Sequence, residues 1–132
     1  MEGHHHALVS SSFLESRRAL LRMLEDLKVD TFASATLAEA KEVLSRQEVA
    51  LVFCDDHLED GTYRDLLQTL RTRKKAPHIV VTTRIGEWKE YLEALGLGAS
   101  DMIPYPYRST DVELNVLRAM RGRDQSSDGA FA

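Results

Sequence analysis

Two adjacent carboxylates, Asp55 and Asp56, stand at the end of the most apolar run of the chain, Val49 to Cys54, and an Asp60-Gly61 turn closes the loop behind them. A carboxylate at the end of a buried strand has three uses: it accepts a transferred group, holds a hard cation, or terminates a loop. Hydroxyl donors gather at Ser10-Ser11-Ser12 and at Thr82-Thr83, the second pair followed by Arg84, and Tyr105-Pro106-Tyr107 sets two phenols around a proline. Hydroxyl and guanidinium groups hydrogen-bond oxyanions, so these clusters become one site if the fold gathers them at Asp55. Other chemistries find few residues. The single cysteine, Cys54, lies inside the apolar run and reads as core packing; it forms no intrachain disulfide and no Cys-based zinc site. His57 and His78 stand apart from any partner at metal spacing and read as surface or loop residues. Neither GxGxxG nor GxxxxGKS/T occurs, which removes the common nucleotide loops.

Composition and periodicity indicate the elements that must position these groups. With 132 residues the chain fits one domain, and 43% hydrophobic with 29% charged residues supplies an ordinary core, so wholesale disorder is excluded. The longest apolar stretch is about six residues against the ~20 of a membrane helix, and no charged-plus-apolar leader precedes the first strand, which makes a cytoplasmic protein the expectation. A net charge of −4 gives no sequence-wide attraction to nucleic-acid or lipid phosphates. Residues 1–6, with His4, His5 and His6 beside the first methionine, read as a tag remnant or disordered lead. Residues 7–121 form the domain, and residues 122–132 read as a flexible tail or linker.

Between those ends the hydrophobic period alternates strand and helix repeatedly. The strands are Ala7 to Ser10, Asp30 to Ala33, Val49 to Cys54, Ile79 to Thr83 and Met102-Ile103. The second is short and half polar, as at a sheet edge; the third is continuously apolar, as in a central parallel strand. Helical faces carry Leu20, Leu24 and Leu27; Leu37, Ala40 and Leu44; Tyr63, Leu66, Leu67 and Leu70; Trp88, Tyr91, Leu92 and Leu95; and Val116, Leu117 and Met120. Ser12 with Glu15, Thr36 with Glu39 and Thr110 with Glu113 predict capping boxes, and the basic run Arg71 to Lys75 reads as a favourable helix C-terminus. Alternation through short loops requires parallel pairing and right-handed crossovers. The fold class is therefore α/β: a flavodoxin-like, doubly wound five-stranded parallel sheet of order 2-1-3-4-5 with helices on both faces. Ligands sit beyond the carboxyl ends of strands one and three in such a sheet, and Ser10 to Ser12, Cys54 to Asp56, Thr82 to Arg84 and Pro104 to Pro106 all lie at strand ends on that edge.

In this order and spacing, CDDHLEDG (Cys54 to Gly61), Thr83 at the end of the fourth strand, LGLGASDMI (Leu95 to Ile103) and Tyr105-Pro106-Tyr107 resemble the receiver domain of two-component response regulators, over roughly Ala7 to Arg121. The resemblance implies that Asp55 is the phosphoacceptor and that Thr83 turns its hydroxyl to it from the next strand. Tyr105 takes the place of the family's phosphoryl-pairing lysine, in the cis bond to Pro106 that the family's lysine-proline pair often adopts. The family's magnesium position corresponds to Asp55, Ser11, Ser12 and the backbone carbonyl of His57. The departures carry equal weight. Ser11 and Ser12 replace an acid pair, and Tyr105 brings no positive charge. Met102 stands at the family's aromatic switch, and Glu59 replaces a common proline. Asp56 points to the opposite face if the strand continues through it. Arg84 is the candidate for a compensating cation. If each lost carboxylate forfeits about 1.4 kcal/mol of net attraction, metal affinity falls roughly tenfold each time, so Mg2+ binding is weak.

The resulting expectation is a non-enzymatic receiver whose Mg-dependent phosphorylation at Asp55 is impaired or absent. A histidine kinase or phosphotransfer protein is its phosphate source. A helix four, strand five, helix five face bearing Trp88, Tyr91, Tyr105 and Tyr107 contacts a protein partner or a second copy. The alternative is a phosphorylation-independent pseudo-receiver acting as an interaction or dimerisation module. A third reading, a flavin binder using the hydroxyls of Ser10 to Ser12, is opposed by the bulk of Phe13, the charge of Glu15 and the lack of a glycine there. No membrane and no direct nucleic-acid contact are expected.

Overall fold

The structure is a computed structural model that describes residues 6–128, with side chains through residue 122. Its elements run β1 (His6–Ser10), α1 (Leu14–Asp26), β2 (Asp30–Ser34), α2 (Leu37–Arg46), β3 (Leu51–Asp55), β4 (His57–Leu58), β5 (Gly61–Thr62), α3 (Tyr63–Leu70), β6 (His78–Thr83), α4 (Trp88–Gly96), β7 (Asp101–Pro104) and α5 (Ser109–Asp128). The main sheet is parallel in the order β2-β1-β3-β6-β7, the doubly wound order expected once the small β4–β5 hairpin is set aside. That hairpin pairs His57 with Thr62 and Leu58 with Gly61; strands of two residues have no period from which a sequence reading finds them.

β3 is buried along its whole length because helices cover both faces, and alternate residues of each strand feed opposite layers. Leu8, Val52, Cys54 and Val81 pack with Leu37 and Leu44 of α2, Leu66 and Leu70 of α3 and Ala94 of α4. Val9, Leu51, Phe53 and Val80 pack with Leu20 and Leu24 of α1 and with Val112 and Val116 of α5. Met102 is core in the first layer. Two helical faces are rotated from expectation: Trp88, Leu92 and Leu117 are exposed, while Ala94 of α4 and Val112 and Ala119 of α5 face inward.

The caps also differ. α1 starts from Phe13 with no side-chain cap, so the Ser12–Glu15 box is absent. Thr36 Oγ1 accepts the Glu39 N–H at 3.1 Å, but Glu39 reaches back to the Ala35 N–H, at 2.8 Å, rather than to Thr36. α5 begins at Ser109, one residue before Thr110, which leaves Thr110 inside the helix. A complete box that the reading missed joins Thr62 and Asp65 at the start of α3. α3 ends at Leu70, so the basic run lies beyond it, and Arg73 instead donates to the Leu44 carbonyl in the last turn of α2 at 2.9 Å. His6, grouped with the lead by its neighbours, opens β1, and the backbone of α5 continues past Arg121 to Asp128. The rest of the expected lead and tail, residues 1–5 and 129–132, lies outside the described residues.

Candidate functional site

The carboxyl ends of β1, β3 and β6 meet around Asp55. Its Oδ2 accepts the Ser11 hydroxyl at 2.8 Å and the Ser12 N–H at 3.3 Å, and its Oδ1 accepts the Thr82 hydroxyl at 2.6 Å. The side chain is 5% exposed. Burial pushes its carboxyl above the ordinary range, the three hydrogen bonds oppose that rise, and the charge of Asp56 adds to it. The hydroxyl facing Asp55 is thus Thr82's, not Thr83's. The parallel register sets Asp55 opposite Thr82, and strand alternation turns the next side chain away. Thr83 Oγ1 lies 3.0 Å from both Asp56 Oδ2 and the Ile85 carbonyl, with one proton to share between them, and accepts the Ile85 N–H at 3.0 Å.

Asp56 lines the same small cavity as Asp55 because β3 ends at Asp55 and the alternation stops there. Its other oxygen accepts the His57 N–H at 2.9 Å. His57 itself is exposed and opens the β4–β5 hairpin, with its backbone paired to Thr62. Ser12 contributes its N–H to the site and Ser11 its hydroxyl, which also accepts the Phe13 N–H at 3.3 Å. Arg17 donates to the Ser11 carbonyl at 2.7 Å, fixing the loop after β1.

Over this floor lies an aromatic clamp. The Arg84 guanidinium sits 4.1 Å from the Phe13 ring centroid and 5.0 Å from that of Tyr105, and donates to Ser16 Oγ at 3.1 Å. Tyr105 precedes Pro106 in a cis peptide bond and meets Tyr107 edge to face at 5.2 Å. Tyr107 lines the same cavity as Thr82 and Ser16, and burial pushes its phenol up to about 12. The cavity among Asp55, Thr82, Arg84, Tyr105 and Tyr107 measures about 10 Å³, room for one water molecule at most. Ser16 and Phe13 are site residues the sequence reading did not place here; Tyr107 it assigned to the partner face, and of the Thr82-Thr83 pair it chose Thr83. For Thr82 the signal existed, since counting register from Asp55 across parallel strands selects it.

The donor set offers a magnesium ion little: Asp55 and Asp56 line the cavity, with hydroxyls of Ser11 and Thr82 on Asp55 where further acids would strengthen the site. Among the described residues no group of three or more His, Cys, Asp or Glu side chains could hold a metal. The one buried carboxylate already accepts three hydrogen bonds.

A doubly wound α/β domain with a buried aspartate at the carboxyl end of its central strand is the class that this fold and site define. The family model of the response regulator receiver domain matches residues 12–116. In sequence the chain is similar to the response regulator protein PilR of Pseudomonas aeruginosa, 28% identical over 124 residues that make up 94% of this chain and 28% of PilR. It is also similar to the photosynthetic apparatus regulatory protein RegA of Rhodovulum sulfidophilum, 32% identical over 100 residues, 76% of this chain and 55% of RegA. The chain therefore spans little more than half of one relative and about a quarter of the other. In fold it is similar to the signal receiver domain of an HD domain-containing protein from Pseudomonas fluorescens Pf-5, with a TM-score of 0.82 at 18% identity over 93% of this chain and 99% of that one. The chemotaxis response regulator CheY4 of Vibrio cholerae matches with a TM-score of 0.78 at 14% identity, over 89% and 99% of the two chains. This chain belongs to the response regulator receiver domain family and is the receiver domain of a two-component response regulator. Among the described residues no helix is long and apolar enough to cross a membrane.

Proposed function

We propose that this receiver retains Asp55 as its acceptor residue but is impaired in, or has lost, Mg-dependent phosphorylation. The observation that carries this reading is the closed pocket. Both Asp55 oxygens are engaged by Ser11, Ser12 and Thr82, and about 10 Å³ of space remains where a phosphoryl group would have to enter. Phosphoryl transfer depends on positioning and on neutralising the charge of the transferred group. Here Mg2+ binding is weak, Tyr105 is neutral, and Arg84 is the cation on the cavity wall, engaged with Ser16, Phe13 and Tyr105. The domain has no enzymatic role of its own. A histidine kinase or phosphotransfer protein is the partner class that a two-component receiver implies, and the cytoplasm is the compartment in which this receiver would meet it.

The pseudo-receiver reading, in which the fold serves as a phosphate-independent interaction module, gains support from apolar exposure on and before α4. Trp88 is 70% exposed and stacks on Tyr91 at 5.3 Å, and Ile85 is 65% exposed. Such side chains favour a protein partner or a second copy on the α4, β7, α5 face. For a flavin ring, the pocket at Asp55 has no room. The deciding experiment incubates the protein with Mg2+ and a small-molecule phosphodonor and measures intact mass. Little or no adduct is expected at high donor concentration. A stoichiometric adduct that disappears in Asp55→Asn overturns the reading.

A further inference from the structure

At the edge of the sheet opposite Asp55 the local charge reverses the sign of the whole. The chain carries a net charge of −4. Yet a cavity of about 370 Å³ at the amino ends of β3, β6 and β7 is bordered by Lys74 and Lys75, from the basic run beyond α3, and by Arg118 of α5. Among the described residues that line it there is no carboxylate, and none of the three cations forms an ion pair with a described residue. A cleft walled by one sign of charge concentrates its field on a counter-ion. Ala50 and Ala119, both buried, give it an apolar floor. Ser100 Oγ accepts the Ile79 N–H at 3.2 Å, so its proton remains to be donated.

One wall is a fixed imidazole. Asn115 is fully buried, and its amide donates to Asp101 Oδ2 and to the Asp111 carbonyl, both at 2.9 Å, so its oxygen is the atom turned to His78. His78 Nε2 lies 2.8 Å from that oxygen and therefore carries a proton, which orients the ring and leaves Nδ1 without a hydrogen bond among the described residues. Asp101, the acid behind this wall, has its other oxygen engaged by the Met102 N–H at 2.8 Å. We propose that this cavity binds a small phosphate ester, with the phosphate among Lys74, Lys75 and Arg118 and the organic body on the apolar floor beside His78. Three cations and a hydroxyl exceed what the two oxygens of a carboxylate engage; they match the three terminal oxygens and the near-double charge of a phosphate monoester. The volume lies at the small end of ligand sites, which run from roughly 300 to 1,000 Å³. Five strand steps, about 17 Å, separate His78 from Thr83 at the other end of β6, so occupancy here does not require the pocket at Asp55 to open.

A ligand so placed joins the segment after α3 to α5 and stabilises the fold by linkage. AMP, whose phosphate and planar base supply both parts, is the probe, with adenosine and inorganic phosphate beside it. Each is titrated into the full chain and followed by amide NMR and by urea unfolding. AMP is expected to shift the amides of Lys75, His78 and Ser100 along one saturation curve and to raise the unfolding midpoint. Arg118→Gln and Lys75→Gln, both at exposed positions, are each expected to weaken AMP about tenfold, the effect of one lost charge-assisted contact. Arg22→Gln, which removes the same charge from α1, leaves the affinity unchanged. Adenosine is expected to bind at least about tenfold more weakly than AMP, and inorganic phosphate more weakly than AMP because it leaves the floor uncovered. A dissociation constant for AMP weaker than about 1 mM overturns the proposal. So does binding that is indifferent to both Arg118→Gln and Lys75→Gln, that adenosine or inorganic phosphate equals, or whose shifts centre on Asp55.

Discussion

At the scale of single residues the site is governed by a carboxylate that burial makes reluctant to ionise. Three hydrogen bonds favour the charged form of Asp55, yet desolvation exceeds them and the folded pKa lies above the unfolded value of about 3.8. The folded state therefore binds more protons than the unfolded chain in that interval. The resulting contribution to stability is complete below the unfolded value and is lost as pH rises through the folded one. Asp55→Asn has no proton to lose. Urea unfolding of both proteins from pH 4 to pH 7 is expected to show the wild type losing stability relative to the variant across the window just above the ordinary carboxylate range. A constant difference, or a wild type that gains, contradicts the assignment. The same carboxylate shows where sequence reasoning stopped. Asp55 was legible because an apolar run points to it, and Ser11 because its strand ends beside it. Thr82 and Thr83 are chemically identical, and only the register between β3 and β6 tells them apart.

At the scale of elements, local signals succeeded where local forces decide and failed where tertiary bonds override them. Strand order and helix identity follow from periodicity, which burial on both faces of the sheet enforces. The capping pattern at Ser12 matches the one at Thr36, yet the Ser12 N–H is turned to Asp55, and α1 begins at Phe13's expense without a side-chain cap. Asp60 is further from any local rule. Read as a turn residue, it also accepts the Leu37 and Ala38 N–H groups at the start of α2, at 2.7 and 3.0 Å, and those bonds hold its carboxyl below the usual range. The hairpin that presents it leaves no room at Gly61, where an added Cβ would come within 2.7 Å of both Asp65 Oδ2 and Leu37 Cδ2. Asp65 Oδ2 is the atom that accepts the Thr62 N–H in the capping box of α3. Gly61→Ala is thus expected to displace both the box and the Leu37 contact, destabilising the domain by about 1–2 kcal/mol in urea unfolding, the usual range for a lost cap. A change within error would mean that the hairpin shifts as a unit and that its packing against α2 does not constrain it.

At the scale of the whole molecule the sheet divides the core in two, with α1 and α5 on one side and α2, α3 and α4 on the other. A receiver that signals must carry a change between these layers, and two routes exist: through the sheet, by strain in its packed side chains, or over its carboxyl edge. The second route has its bonded ends at Asp55, which accepts from Thr82, and at Ser16 in α1, which accepts from Arg84 on the segment leading into α4. Val9 on β1 and Val81 on β6 measure the first route. They face opposite layers, and β3 lies between their strands, which places them about 10 Å apart in the plane of the sheet. Val9→Ala and Val81→Ala should each cost about 1–3 kcal/mol through lost burial and residual cavity. Their double variant should match the sum within about 0.5 kcal/mol, as for sites without shared partners. Additivity would mean that the sheet insulates its two faces, leaving the carboxyl edge to couple them. A coupling above about 1 kcal/mol would show instead that the packed strands transmit strain across the core, and the polar route over Asp55 would then be one of two.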